Sequence, residues 1–326
     1  MGHWLPDRRG FGAGLVAAWL AAPGARGQEI DMGGQATRVP FQTPHATEQG
    51  YKPPTDLKTI VDIYKRMTGP VRVAGAGPFP FVVDTGANQS VVSAEIAAKL
   101  GLKVGDPQPL NGVAGVQMTP TVSASLQFGG RAAHDVTLSV LPAASIGGPG
   151  MLGLDQLDGA RLTLDFGREQ VTIDEGPELP GGGDAFRMHA RRRDGQLTLV
   201  DANLAGIPVT AFLDSGAQDT IGNMALRELA ITRYPLTPIQ QVPIVSVTGQ
   251  TIAAEFADLP SLRIGGVTLP NWPVAFADLH IFRMWDLTRA PAILIGVDVM
   301  SRFETICLDF RHDQVAFRLP SDRSGA

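Results

Sequence analysis

The amino-acid sequence predicts an all-β protein made of two similar lobes. Charged residues make up only 18% of the chain, aromatic residues are few, and Gly (38) and Pro (25) are plentiful. This composition favours a turn-rich β architecture over a helical one. An internal repeat is the second observation, and a repeat that extends over much of a chain indicates duplicated structural units. The length of 326 residues is sufficient for two domains of ordinary size.

The repeat is clearest in two segments that lie 130 residues apart and align without a gap. They read Phe-Val-Val-Asp-Thr-Gly-Ala-Asn-Gln-Ser (81–90) and Ala-Phe-Leu-Asp-Ser-Gly-Ala-Gln-Asp-Thr (211–220). In each segment an apolar run leads into an aspartate, Asp84 or Asp214, which a hydroxyl residue and a Gly follow. A carboxylate at the tip of an apolar strand is costly to bury unless something uses it. Two such carboxylates in one chain therefore predict a pair that meets.

The two halves agree on both sides of the Asp turns. Before each turn, Gly and Pro (75–78 and 205–208) separate two apolar stretches, as in strands joined by a tight connection. After each turn come an apolar-apolar-Gly element, ending at Gly153 or Gly296, and two short closing strands. The second half has 13 more residues between its Asp and its later Gly, and we expect them around 234–243 and 276–291.

These matches define the predicted domains. Lobe 1 covers residues 68–176 and lobe 2 covers residues 185–320. The linker between them, residues 177–184, belongs to a Gly- and Pro-rich stretch with the composition of a flexible tether. Residues 28–67 form an N-terminal extension in which 56–67 has the apolar spacing of a short amphipathic helix. That helix is either a propeptide lying across the cleft or an element docked on the outside of lobe 1.

The first 27 residues are predicted to be an export signal. Arg8 and Arg9 precede an apolar stretch (11–22), and small residues stand at the positions that a signal peptidase inspects. The twin-arginine route and the ordinary secretory route both fit this pattern. Twelve apolar residues are too few to span a bilayer as a helix. We therefore expect an exported protein, periplasmic or secreted, with no stable membrane span once the signal is cleaved.

Charge and cysteine content limit the possible partners and cofactors. Loss of residues 1–27 removes three Arg and one Asp, which changes the net charge from −5 to −7 and argues against binding nucleic acid. The single cysteine, Cys307, excludes an intramolecular disulfide and a Cys-based zinc site, and its apolar surroundings predict a buried, inert thiol. The six His have no metal-ligand spacing. We predict neither a metal nor a cofactor.

Together these motifs resemble the retropepsin-like aspartic peptidase family, in a tandem, two-lobed form like that of exported bacterial aspartyl proteases. The resemblance rests on Asp84-Thr-Gly-Ala87, on Asp214-Ser-Gly-Ala217 and on the downstream elements ending at Gly153 and Gly296, and it covers about residues 68–320. It implies two retropepsin/pepsin-like lobes, each a closed-barrel-like β domain. It also implies that the later Gly lies on a strand crossing behind the Asp turn, with a short helix after it.

The resemblance implies an endopeptidase that uses Asp84 and Asp214 as its catalytic pair. Two carboxylates about 3 Å apart cannot both ionise, so they share one proton and supply a base and an acid from identical residues. Thr85 and Ser215 are expected to hydrogen-bond across the lobe interface. Gly86 and Gly216 would let backbone approach the carboxylates where a Cβ would intrude. Asp155 and Asp298, two residues after the later Gly, are expected to have a structural role.

A peptide or protein substrate is expected to lie extended between the lobes under two mobile hairpins, the flaps. The candidate flap residues are Gly112, Val113, Ala114 and Gly115 in lobe 1, and Val247, Thr248 and Gly249 in lobe 2. Both Asp turns carry Ala after the Gly, at 87 and 217. A Ser or Thr there could donate a hydrogen bond to the carboxylate and lower its pKa. Its absence predicts a less acidic working range than that of a digestive aspartic peptidase.

Two alternatives remain at this level. The same fold could be a non-catalytic peptide-binding module. Alternatively, lobes of different chains could pair, since each lobe carries a full motif. The flexible linker makes pairing within one chain easier by raising the effective concentration, so we expect a monomer with pseudo-two-fold symmetry.

Overall fold

The structure is a computed structural model that describes most of the two predicted lobes. It describes residues 66–157, 159–174, 185–193, 196–199, 201–235 and 240–320, and the backbone of two short strands, β1 (Gly14–Leu15) and β2 (Trp19–Ala21). The predicted linker lies outside the described residues, as do most of the predicted export signal and residues 56–65 of the predicted helix. The fold is mostly β, as the sequence predicted.

Lobe 1 is built around a closed six-stranded barrel. Its strand order is β7-β3-β4-β9-β5-β8, and the pairing of β8 with β7 closes the ring. The elements of this lobe are β3 (Thr68–Val73), β4 (Ala76–Val83), β5 (Val91–Ser93), α1 (Ala94–Lys99), β6 (Val104–Asn111), β7 (Val116–Phe128), β8 (Arg131–Leu141), α2 (Ala143–Ile146), β9 (Gly150–Leu152), a 3₁₀ turn (Leu154–Gln156), β10 (Arg161–Asp165) and β11 (Gln170–Asp174).

Lobe 2 repeats this order with equivalent strands, β13-β16-β21-β17-β20-β19-β14. Its elements are β12 (Ala185–Arg193), β13 (Gln196–Leu199), β14 (Ala202–Leu204), β15 (Ile207–Pro208), β16 (Thr210–Leu213), β17 (Ile221–Gly222), α3 (Met224–Arg233), β18 (Gln240–Ser246), β19 (Thr251–Ile264), β20 (Val267–Phe276), α4 (His280–Met284), β21 (Ala292–Ile295), α5 (Val297–Met300), β22 (Thr305–Asp309) and β23 (Gln314–Arg318). The 3₁₀ turn and α5 follow Gly153 and Gly296, where the resemblance implied a short helix.

A shared sheet joins the two lobes, and the sequence did not predict it. The matched closing strands do not stay within their own lobes: β10 pairs with β22, which gives the order β11-β10-β22-β23-β12. Along β10, buried and partly exposed residues alternate, as expected for a sheet with one face on the core. Leu162 and Leu308 stand opposite each other in this sheet, and both are buried. The sheet therefore extends the hydrophobic core from one lobe into the other.

Lobe 1 begins slightly earlier than the predicted boundary at residue 68. Arg66 and Met67 are completely buried, and the Met67 carbonyl accepts a hydrogen bond from the Val83 amide at 2.9 Å. The predicted helix therefore cannot extend to residue 67, because Met67 has extended backbone that pairs with Val83. Removal of a propeptide up to residue 68 would also strip two side chains from the core.

Seven of the 13 extra residues of lobe 2 lie between β20 and β21, and the others lie before β18. The β20–β21 connection has 15 residues (277–291), whereas the connection of lobe 1 between β8 and β9 has eight (142–149). The longer connection carries α4 and the buried Trp285, whose ring stacks on Phe212 with 4.0 Å between centroids. The position of this connection agrees with the expected insertion at 276–291. The additional residues give the Asp turn of lobe 2 surroundings that the turn of lobe 1 lacks.

Two further expectations concern Cys307 and the membrane. Cys307 is buried, and burial raises the pKa of its thiol to about 11, which confirms an inert thiol. Across the described parts of the chain, none of the helices combines the length and apolar character needed to cross a bilayer.

We predict that the shared sheet couples the stability of the two lobes. Leu162→Ala and Leu308→Ala should each lower the free energy of unfolding by about 2–5 kcal/mol, because each leaves a cavity in a buried layer. Leu229→Ala, at a position 39% exposed on α3, is the matched control and should change it by about 0.5 kcal/mol or less. Denaturant unfolding should show one transition, and separate transitions for the two lobes would contradict the coupling.

Candidate active site

Equivalent strand pairs place the two Asp turns. Asp84 directly follows β4, which pairs in parallel with β9, and Asp214 directly follows β16, which pairs in parallel with β21. The Asp84 amide donates to the Leu152 carbonyl at 3.0 Å, and the Asp214 amide donates to the Ile295 carbonyl at 2.9 Å. The last residues of β4 and β16 are buried. Each apolar strand thus carries its carboxylate into the interior at the boundary between the lobes.

The carboxyl groups of Asp84 and Asp214, here called the Asp pair, lie against each other. Both residues are completely buried, and their side chains are within hydrogen-bonding reach of each other. A Cβ added to Gly86 would collide with the Asp214 carboxyl, and a Cβ added to Gly216 would collide with the Asp84 carboxyl. Only Gly leaves room at these two positions for the carboxyl group of the other lobe. The sequence predicted this close approach.

The two oxygens of each carboxyl have different surroundings. Oδ1 of each Asp accepts two backbone N–H groups from its own turn. The donors are Gly86 (2.8 Å) and Ala87 (3.0 Å) in lobe 1, and Gly216 (2.9 Å) and Ala217 (3.1 Å) in lobe 2. Oδ2 of each Asp is buried and accepts no hydrogen bond from the described residues. Two such oxygens can lie close together only if they share a proton.

Burial raises the pKa of both carboxyl groups, but unequally. The pKa of Asp84 rises to about 6 because burial outweighs the hydrogen bonds and the positive charge that lower it. The pKa of Asp214 rises well above its ordinary value, first through burial and then through the charge of Asp84. The two protons belong to the pair rather than to either residue. Between its two ionisations the pair therefore holds one proton and one negative charge.

Thr85 and Ser215 fix the two turns against each other. The Thr85 hydroxyl donates to the Leu213 carbonyl at 2.7 Å, and the Ser215 hydroxyl donates to the Val83 carbonyl at 2.7 Å. Each hydroxyl oxygen also accepts the backbone amide of the other residue, at 3.1 and 3.0 Å. All four hydrogen bonds cross from one lobe to the other and are buried, so neither Asp turn can move without the other.

A second layer of polar groups supports each turn from behind. Ser90 donates to Oδ1 of Asp155 at 2.7 Å, and its hydroxyl oxygen accepts the Gly153 amide at 2.9 Å. The equivalent residues of lobe 2 are Thr220, Asp298 and Gly296, with distances of 2.7 and 3.1 Å. These contacts give Asp155 and Asp298 the structural role that the sequence suggested.

Lobe 2 has a further, partly buried carboxyl group that sequence reasoning did not single out. Asp219 stands where lobe 1 has Gln89. Burial raises the pKa of Asp219 to about 6, and burial together with the charge of Asp219 raises the pKa of Asp298 to about 7. The one available sequence signal was the Gln-to-Asp difference between the aligned repeats.

Both candidate flaps are hairpin tips, and each packs into the opposite lobe. The first tip (112–115) joins β6 to β7, and the second (247–250) joins β18 to β19. Gly115 and Gly249 have positive φ, of 152° and 79°. Val113 is buried in a core cluster of lobe 2, and Val247 is buried in a core cluster of lobe 1. Each tip therefore crosses from its own lobe to the other.

The first tip has an additional attachment. The His280 amide at the start of α4 donates to the Val113 carbonyl at 2.7 Å, and the His280 ring lies 3.3 Å from Oδ1 of Asn111. Gly112 is in close contact with Thr248 of the other tip, and Ala114 completes the first turn. The longer β20–β21 connection thus holds the flap of lobe 1. No group of three or more His, Cys, Asp or Glu within the described residues has the geometry of a metal site.

The partly buried carboxyl groups of Asp219 and Asp298 predict how stability depends on pH. Asp219 and Asp298 bind a proton more tightly in the folded state than in the unfolded chain, so stability should be greatest near pH 4 and should fall as the pH rises to about 7. Thermal unfolding as a function of pH should show this decline. Asp298→Asn, which keeps an acceptor for Thr220 without a charge, should flatten it, and an unchanged slope would contradict the assignment.

The protein-family comparison matches both halves of the chain. A family model described as aspartyl protease matches residues 69–156 and 200–299, more than half of the chain. Each matched region contains one Asp turn, one flap and one later Gly, in agreement with the duplication. No curated protein gives a significant match. The chain therefore belongs to the aspartyl protease family, with one copy of the family domain in each lobe.

Proposed function

We propose that the protein is an aspartic endopeptidase that hydrolyses peptide bonds with Asp84 and Asp214. The main support is the geometry of the Asp pair: two buried carboxyl groups, each with one oxygen held by backbone amides and the other facing the opposite turn. Peptide hydrolysis needs one base and one acid within reach of the same bond. A pair that shares one proton supplies both.

In the proposed reaction Asp84, which has the less elevated pKa of the two, acts as the base. It removes a proton from a water molecule while the water oxygen bonds to the carbonyl carbon of the substrate, and Asp214 gives its proton to the carbonyl oxygen. In the second step Asp84 gives its proton to the amide nitrogen, the C–N bond breaks, and one hydroxyl proton of the intermediate passes to Asp214, so that the pair again holds one proton. Thr85 and Ser215 keep the two carboxyl groups together throughout.

The substrate would bind in an extended conformation by adding strands to the flaps. Two strand pairings at the flap arms support this mode of binding. Strand β1 pairs in parallel with Leu110 and Asn111 of β6, and β2 pairs in antiparallel fashion with residues 244–246 of β18. Both partners lie directly before a flap tip, so an extended peptide could contact both lobes at once.

One chain is proposed to be sufficient for activity. Support comes from the cross-lobe hydrogen bonds of Thr85 and Ser215 and from the β10–β22 pairing, which form between lobes of the same chain. We further propose export to the periplasm or the exterior on the basis of residues 1–27. Cell fractionation followed by mass analysis of the mature N-terminus would test this, and recovery of the full-length chain from the cytoplasm would contradict it.

We predict that Asp84→Asn abolishes turnover. A neutral amide can neither accept the proton of water nor share one with Asp214, so kcat should fall by at least about 10²- to 10⁴-fold. Cleavage of a peptide library, followed by mass spectrometry and by a fluorogenic peptide chosen from it, measures this. Asp155→Asn is the matched control, because it makes the same change in a carboxyl group that lies behind the turn.

The same variants separate catalysis from binding. An Asp84→Asn protein that still binds the peptide with an unchanged Kd, but does not cleave it, supports the peptidase. Unchanged turnover would contradict the catalytic assignment. If wild type and variant bind equally and neither cleaves any peptide, the protein is a peptide-binding module.

The second prediction concerns the Ala that follows each Gly. Ala87→Ser should lower the pH at which kcat/KM falls on the acid side, because a hydroxyl that donates to the Asp84 carboxylate favours its charged form. In the wild type this fall should lie near the pKa of Asp84, about 6, so we expect a mildly acidic to neutral optimum. A wild-type optimum below pH 3, or an unshifted acid limb in Ala87→Ser, would contradict this explanation.

A further inference from the structure

Each Asp turn lies beside its own cluster of buried apolar side chains. The lobe 1 cluster contains Val82 and Val247, the tip residue of the lobe 2 flap. The lobe 2 cluster contains Phe212 and Val113, the tip residue of the lobe 1 flap. Each cluster also contains the Ala of its own Asp turn. Each cluster therefore joins an Asp turn to the flap tip of the opposite lobe.

Val82 and Phe212 lie on the same strand face as the Asp pair. Side chains two residues apart in a strand point to the same face, and Val82 and Phe212 each stand two residues before the Asp of their lobe. The residues on either side of them belong to the main hydrophobic core instead. Val82 and Phe212 therefore point away from that core, in the direction of the carboxyl groups.

An extended peptide bound at the Asp pair would present one side chain to each of these residues. Successive side chains of an extended chain point to opposite sides, so the two residues that flank the cleaved bond point to different lobes. Because the two turns are equivalent, one of these residues comes beside Val82 and the other beside Phe212. The sizes of these two side chains then influence which substrate residues fit next to the bond.

The two lobes differ at this place in their aromatic residues. Phe212 stands where lobe 1 has the smaller Val82. The Trp285 ring stacks on Phe212, with 4.0 Å between the ring centroids and 22° between the ring planes, and both side chains are buried. The corresponding connection of lobe 1 (142–149) contains no aromatic residue. That connection therefore supplies no equivalent of this stack.

Trp285 restrains the Phe212 ring. A stacked aromatic pair has a preferred geometry, and a closely packed interior leaves a buried ring little room to turn away from an incoming group. The lobe 1 cluster, within the part of the chain that the structure describes, has no aromatic member and includes Met151. A Met side chain is unbranched and adapts to different neighbours. The lobe 2 side therefore presents a rigid ring, and the lobe 1 side a more adaptable surface.

We propose that Phe212 is a specificity-determining residue and that Trp285 is the positioning residue that holds its ring. The substrate then carries a small side chain on the lobe 2 side of the cleaved bond and a larger apolar side chain on the lobe 1 side. This inference rests on the proposed peptidase function.

The first test compares two peptides that differ only in the order of the residues flanking the cleaved bond, Leu-Ala and Ala-Leu. A size difference of a methylene group or two in an apolar subsite changes kcat/KM by about 10- to 200-fold, so wild type should prefer one peptide by at least about 10-fold. Phe212→Val, which reproduces the residue of lobe 1, should bring the ratio close to one by raising kcat/KM for the poorer peptide. Equal cleavage of both peptides by wild type would overturn the proposal.

Two substitutions of Trp285 test its positioning role. Trp285→Ala should also reduce the ratio, because the Phe212 ring loses its stacking partner. Trp285→Phe keeps an aromatic ring and should retain the preference. Trp272→Ala is the matched control: it removes a buried Trp of the main core, and it should lower the melting temperature without changing the ratio. Equal changes of the ratio in Trp285→Ala and Trp272→Ala would overturn the role of Trp285.

The reciprocal substitution makes an independent test. Val82→Phe places the larger residue of lobe 2 in lobe 1 and should lower kcat/KM for the preferred peptide. Thermal unfolding establishes which variants are folded. The wild-type ratio needs no variant, so the proposal remains testable if Phe212→Val or Val82→Phe does not fold. An unchanged ratio in folded Phe212→Val would contradict it.

Peptide binding separates this proposal from the proposed function. If wild type cleaves both peptides equally, the peptidase function stands and the role of Phe212 fails. If no peptide is cleaved, calorimetric titration with the same two peptides measures their Kd. A preference in Kd that Phe212→Val removes supports the role of Phe212 while the peptidase function fails. Equal Kd values without cleavage would contradict both.

Discussion

Two carboxyl groups held together in the interior are the constraint on which the rest of this structure depends. A buried carboxylate without partners is costly, and a second one beside it adds repulsion. The protein offsets this cost with two backbone amides for each Oδ1, and a proton shared by the two carboxyl groups relieves their repulsion. Because each Asp turn is also tied to the other lobe through a hydroxyl group, neither half of the site can form alone.

This mutual dependence explains which segments have the same length in both lobes and which do not. From position 66 to position 90 the two lobes align without a gap, because a one-residue slip in a strand would turn every side chain to the other face. The extra residues of lobe 2 lie in the segment before β18 and in the connection before β21, which are less constrained by the Asp pair. That connection has acquired α4, and through His280 it holds one flap more firmly than the other.

The sequence predicted those parts of the candidate site that occur in both copies of the internal repeat. The Asp turns, their hydroxyl and Gly neighbours and the two flap tips all lie where the repeat placed them. The shared sheet could not be predicted in this way, since periodicity shows that 161–165 and 305–309 are strands but not that they pair with each other. Arg66 was assigned to a helix because apolar spacing extends to residue 64, whereas the backbone pairing of Met67 with Val83 depends on contacts distant in sequence.

A duplicated fold must perform a task that is not symmetric, since hydrolysis needs one base and one acid at the same moment. The backbone preserves the symmetry, and the charged side chains remove it. Arg66 of lobe 1 corresponds to Gln196 of lobe 2, and Asp219 of lobe 2 corresponds to Gln89 of lobe 1, so one lobe has an additional positive charge and the other an additional acidic group. The charge of Arg66 is among the influences that lower the pKa of Asp84, and the charge of Asp219 raises the pKa of Asp298 behind the lobe 2 turn.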